Sequence, residues 1–220
     1  MTEDIRRPET TVLLHHLMAL CGGLTGVYSI MGRMGVFAAA ETTNMIEIVC
    51  DILGKENFEF MYRVVALLIY ISAMVIYTVM KERSGLEPRY ISIGIDALAV
   101  ISLFFIPLDI DPFVALYPLF FAAAFQWCSF ETAKGYSCST IFSTNNLKQT
   151  VTSAAACLTM ESSSPARAGM AERFSFYGGT MLCFYGGVGI GYWAFMALGN
   201  ASVLISLIPL AAAFISLKRS

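Results

Sequence analysis

Six stretches of this chain are apolar for the length of a bilayer crossing and almost free of formal charge: 12–31, 64–80, 90–108, 112–130, 174–198 and 201–217. A hydrocarbon core about 30 Å thick takes roughly 20 residues of α-helix, with about 17 to 25 tolerated. Lipid offers no partner to a free backbone amide, so runs of this length are read as helices. Composition agrees. Hydrophobic residues make up 57% and charged residues 14%, against about 45–50% and about 25% in a soluble domain. Too little charge is left to cover a soluble surface, so the expected fold is an all-α integral membrane protein. No long basic run is present, and nucleic acid is not an expected partner. The six cysteines are scattered with no C-x-x-C pair, which suits buried thiols better than a disulfide or zinc framework. The acidic residues of the first ten do not suit a signal peptide, and the first apolar run is expected to be retained as a span.

Two further segments are too polar for ordinary lipid-facing helices. Segment 36–53 carries Glu41, Glu47 and Asp51, and segment 137–160 is dense in Ser, Thr and Asn and holds Lys148. Counted as crossings they would make eight spans. Loop charge chooses between six and eight, because Lys and Arg collect on the cytoplasmic side. With six crossings and the N-terminus inside, Arg6, Arg7, Lys81, Arg83, Arg89, Lys134, Arg167, Arg173, Lys218 and Arg219 fall inside. Arg33, Lys55, Arg63 and the acidic loop Asp109–Asp111 fall outside. Eight crossings would reverse the basic loop after Met80 and the acidic one. Six is the better fit. Both polar segments are then re-entrant, and both termini are cytoplasmic in a plasma or inner membrane.

The polar segments echo each other, since Thr42-Thr43-Asn44-Met45 matches Thr144-Asn145-Asn146-Leu147. One half is 1–110, with spans 12–31, 64–80 and 90–108 and re-entrant 36–53. The other is 111–220, with spans 112–130, 174–198 and 201–217 and re-entrant 137–160. Three crossings per half force the second half upside down. That inverted repeat is common among secondary transporters, whose sites lie where the halves meet on broken helices.

These clusters give the chain a resemblance to the YoaK family, bacterial membrane proteins grouped under a domain of unknown function. A Thr-Gly-Asn signature of that family is matched by Thr42-Thr43-Asn44 and Thr144-Asn145-Asn146, with the central glycine replaced in both. Gly23-Leu24-Thr25-Gly26 is similar to the family's Gly-x-x-Asp stretch, Gly26 standing where an acid is usual, and Gln126 matches the family's glutamine in the fourth span. The resemblance covers roughly residues 12 to 217 and implies the two-half architecture. It brings no established activity.

The expected function is a small secondary transporter or facilitator for a small polar or anionic solute. Thr42, Thr43, Asn44, Gln126, Thr144, Asn145 and Asn146 would bind the solute through neutral hydrogen bonds. The broken helices would turn positive dipole ends toward it. Glu41, Glu47, Asp96 and Lys148 are candidates for coupling, or for pairing between halves, with Glu47–Lys148 the pair considered, because an ionisable group in the membrane usually pairs, lines water or acts. A non-transporting scaffold or regulatory protein is the alternative, and a small channel a third. His15 and His16 read as interfacial rather than metal-binding. The glycines from Gly186 to Gly191 read as close helix packing, with a homodimer seam as the other option. No hydrolase triad, nucleotide loop or metal cluster is visible, so no enzyme, cofactor or metal is expected. The expected partners are membrane lipid and the solute.

Overall fold

A computed structural model describes residues 8–54, 59–161 and 163–219; Arg6, Arg7 and Lys55 of the topology argument lie outside these. Among the described residues eight α-helices run in chain order: α1 Pro8–Gly32, α2 Glu41–Gly54, α3 Glu59–Arg83, α4 Pro88–Phe105, α5 Pro112–Ser129, α6 Thr144–Thr159, α7 Pro165–Leu198 and α8 Leu207–Arg219. A 3-10 helix, Gly199–Ser206, joins α7 to α8.

Local chemistry sets several of these limits. The Asp111 carboxylate accepts from the amides of Phe113 (3.0 Å) and Val114 (3.2 Å), and Pro112 occupies the first turn where its missing N–H costs nothing. Proline opens α4 and α7 in the same way. Pro107 follows the end of α4, so the expected span to residue 108 stops as helix at Phe105. At the other end of the chain α7 starts nine residues before its expected span, at Pro165, and continues through Arg167 and Arg173. Gly199 turns the chain with φ +55, a conformation glycine adopts without a Cβ penalty.

The described residues depart from an all-α expectation in one place. Between α5 and α6, β1 (Thr132–Ala133) and β2 (Tyr136–Ser137) form an antiparallel hairpin, with Ala133 opposite Tyr136. Its turn, Lys134-Gly135, has two positive φ angles (56 and 78), the geometry that suits strand twist. The pair Met34-Gly35 ahead of α2 has the same signs (52 and 86). The helices of the polar segments are therefore shorter than their segments. They begin at Glu41 and Thr144, each after a non-helical approach.

Among the described residues five stretches are long and apolar enough to cross a membrane: Thr11–Gly32, Phe60–Arg83, Pro88–Phe105, Pro112–Ser129 and the 55-residue Pro165–Arg219. Their length and apolar composition suit a membrane protein. Large apolar side chains stand outward where lipid would lie, Leu182 and Trp193 of α7 among them at 77% and 73% exposure.

Helices α1 and α5 form the inside. Against α1 pack α7, α8 and the 3-10 helix; against α5 pack α3 and α4. The short helices sit on their followers, α2 on α3 and α6 on α7. The α1–α7 seam is held by glycines. A Cβ on Gly23 would stand 1.9 Å from the Phe184 carbonyl oxygen, and one on Gly187 would stand 2.2 Å from that of Leu20. Gly187 and Gly191 thus serve packing inside the chain, whereas Gly186 and Gly189 face open space.

Candidate functional site

The non-helical approaches to α2 and α6 both tuck inward, and a small enclosed space lies between them and the two inner helices. Gly22, Thr25, Gly26 and Ser29 of α1 line it, with Leu119, Ala123 and Gln126 of α5 opposite; Phe37, Ala38, Ala39 and Ile141 close it. Its volume is about 10 Å³, room for one water-sized occupant. The absence of a side chain on Gly22 admits the second approach, since a Cβ there would meet the Thr140 carbonyl oxygen at 2.2 Å.

Gln126, 3% exposed, joins the two inner helices. Its Nε2 donates to the Met18 carbonyl of α1 (3.2 Å) and to Thr140 Oγ1 (2.9 Å). The carbonyl can only accept, which fixes the amide's orientation. Thr25 and Ser29, both buried, donate their hydroxyls to their own helix, Thr25 to Cys21 (3.0 Å) and Ser29 to Gly26 (2.7 Å).

A larger groove of about 330 Å³ adjoins this space and shares Gly26 and Phe37 with it. Phe142, Ser143, Thr144, Tyr185 and Val188 line its far side, where Ser143 Oγ and the Tyr185 hydroxyl bond at 2.8 Å. The Phe37 ring borders both. It presses on Gly26 so closely that a Cβ there would lie 3.1 Å away.

The expected binding residues divide. Gln126 reaches the enclosed space and Thr144 the groove. Asn44 and Asn146 are buried in matching places, 4% and 2% exposed, but serve their own surroundings. Asn44 Nδ2 donates to Glu41 Oε1 at 3.5 Å. Asn146 Nδ2 donates to the Ser139 carbonyl at 2.8 Å, and its Oδ1 accepts from the Cys138 thiol. Thr42, Thr43 and Asn145 are exposed. Helical phase explains the pattern: of three consecutive residues only one turns inward. Thr25 and Ser29 also line the space without being among the expected binding residues, Thr25 figuring only in the Gly-x-x-Asp likeness.

Among the ionisable candidates, Glu47 meets Arg63 of α3 at 3.3 Å rather than Lys148. Arg63 also binds Asp51 at 3.0 Å and lies over the Phe113 ring. Lys148 is exposed on α6. Glu41 is half-buried at the start of α2, and one of its oxygens is buried without a partner. Asp96 is 4% exposed on α4, with the Ser92 hydroxyl 3.5 Å away. Its place is core rather than interface. His15 is buried as well, beside Phe176. At the opposite end of α1, Arg33 is 1% exposed and donates to the carbonyls of Pro107 (2.6 Å) and Ile106 (2.9 Å). Among the described residues no group of three His, Cys, Asp or Glu could hold a metal ion.

A helical bundle with apolar helices of membrane-crossing length, and a small space holding three uncharged polar side chains between its two inner helices, is the class that this fold and site define. The chain belongs to the DUF1275 family, described as protein of unknown function, which it matches over residues 14–216. No curated protein and no solved structure matches it.

Proposed function

We propose that the protein is a small secondary transporter or facilitator that carries a small polar solute through the space between α1 and α5. One observation carries this reading: the space sets three buried, uncharged polar side chains, Thr25, Ser29 and Gln126, among apolar ones, and it borders a wider groove at Gly26 and Phe37. A bundle built only to pack would gain by filling such a gap, because voids cost contacts. Here the gap is kept, and both non-helical approaches border it.

The finer architecture in this proposal is six crossings and two re-entrant helices in an inverted repeat. The stretch Pro165–Arg219 supplies two crossings, folded at Gly199. Contacts support the repeat, because each has a counterpart when the halves are exchanged. The α1–α7 seam answers α3–α5, α2–α3 answers α6–α7, and α4–α5 answers α1–α8. Contacts also favour six crossings over eight. Arg33 touches the Pro107 carbonyl, so the ends of α1 and α4 share one side. Eight crossings would set them on opposite faces of a core about 30 Å thick. Both termini then lie on the cytoplasmic side of a plasma or inner membrane, in keeping with the YoaK resemblance.

Uptake by the full chain in proteoliposomes, screened across small metabolites, tests the reading. Gln126→Ala is expected to lower uptake at least tenfold, since it removes a side chain that bonds from α5 to α1 beside the space. Uptake unchanged by that substitution would remove this space from the transport path. A scaffold remains the second reading, favoured by the self-contained bonding of Asn44 and Asn146. Its signature would be no uptake of any solute together with stable assembly on a partner.

A further inference from the structure

We propose that the enclosed space selects a solute that donates hydrogen bonds and carries no negative charge, a small amine; this rests on the transport reading for its purpose and on hydrogen-bond accounting for its chemistry. Both hydrogens of the Gln126 amide are committed, one to the Met18 carbonyl and one to Thr140 Oγ1. The hydroxyl hydrogens of Thr25 and Ser29 are committed to carbonyls of α1. A hydroxyl that donates keeps its lone pairs, and an amide whose nitrogen is engaged keeps its oxygen. The remaining polar capacity of these three lining side chains is therefore acceptor only.

An acceptor-lined space repels an anion and holds a donor. The sequence alone favours the opposite choice, because two helix N-termini near the site would attract negative charge. At α2 the structure weakens that attraction. Glu41 places a carboxylate at the start of α2, and the amides of Thr43 and Asn44 are bound to the Ala40 carbonyl. The nearest cation along α1, Arg33, is turned to the carbonyl end of α4, whose partial negative charge opposes its own. The space takes about one water-sized group, room for the ammonium group of a small amine and not for a larger head.

Thermal unfolding of the purified full chain in detergent tests this, with methylammonium chloride and sodium formate each compared with sodium chloride at equal concentration. A ligand that binds only the folded state raises the melting temperature with concentration. Methylammonium is expected to raise it and formate to leave it unchanged. Thr25→Val with Ser29→Ala, which removes two acceptors, is expected to weaken the methylammonium effect about tenfold. Ser29→Ala alone is the second variant should the pair fail to fold. A shift by formate, no shift by methylammonium, or an undiminished shift in the folded variant would overturn the proposal. Binding without uptake of labelled methylammonium would instead defeat the transport reading and leave the site's chemistry standing.

Discussion

Glu41 shows how one side chain changes what a helix end can do. A bare N-terminus invites an anion, but this one supplies its own carboxylate and half-buries it. Desolvation pushes the Glu41 pKa up to about 7, while the bond from Asn44 pulls the other way. The folded protein thus holds this proton more firmly than the unfolded chain, whose carboxyl titrates near 4.5. Stability from this group is complete below that lower value and is lost as pH rises toward about 7. Melting curves of wild type and Glu41→Gln should therefore diverge over that window, with the variant holding its melting temperature while wild type falls. Parallel curves from acid to neutral pH would show that the carboxyl is hydrated. Asp96 differs, because neither α5 nor the chain from Gly199 to Leu217 contains an acidic or basic residue to pair with it. Burial of that acid in the core follows from its own helix, where Ser92 and Asp96 stand one turn apart on the inward face.

Among the elements, the glycine seam is the most sensitive to substitution. Gly187→Ala drives a methyl group into the Leu20 carbonyl, and such overpacking typically costs about 1–3 kcal/mol. Gly186→Ala adds the same methyl where nothing lies within 4 Å. The first should lower the melting temperature in detergent by several degrees and the second should not, although the two glycines are neighbours. Equal effects would mean that helix propensity, not packing, governs this helix. The long, almost uncharged runs made α1, α3, α4, α5 and α7 legible in the sequence, because lipid admits so few backbone solutions. Their ends were less so: Pro165 extends α7 through two arginines that loop statistics assign to water. The hairpin at Lys134-Gly135 was not legible, since two-residue strands leave no alternation to read. At the site, Gln126 was found through a resemblance and Asn44 and Asn146 through their spacing. Burial then gave the two asparagines a bracing role. Thr25 and Ser29 lay in an apolar run with no outward sign, and only the fold of the chain before α2 and α6 sets them at a shared space.

At the scale of the molecule, sidedness is the first matter to measure. Cysteine-reactive labelling of single-cysteine variants, at Ser84 in the basic loop and at Ile110 in the acidic one, should modify the former from the cytoplasm and the latter from outside. The opposite result would overturn the six-crossing arrangement and the exchange of halves with it. The same exchange bears on biogenesis. Ribosomes deliver the N-terminal segment first, yet α1 finds its principal neighbour in α7, near the end of the chain. Until then its buried His15 lacks the Phe176 ring it packs beside, and a nascent chain halted before α7 emerges should be handed to quality control rather than wait in the lipid.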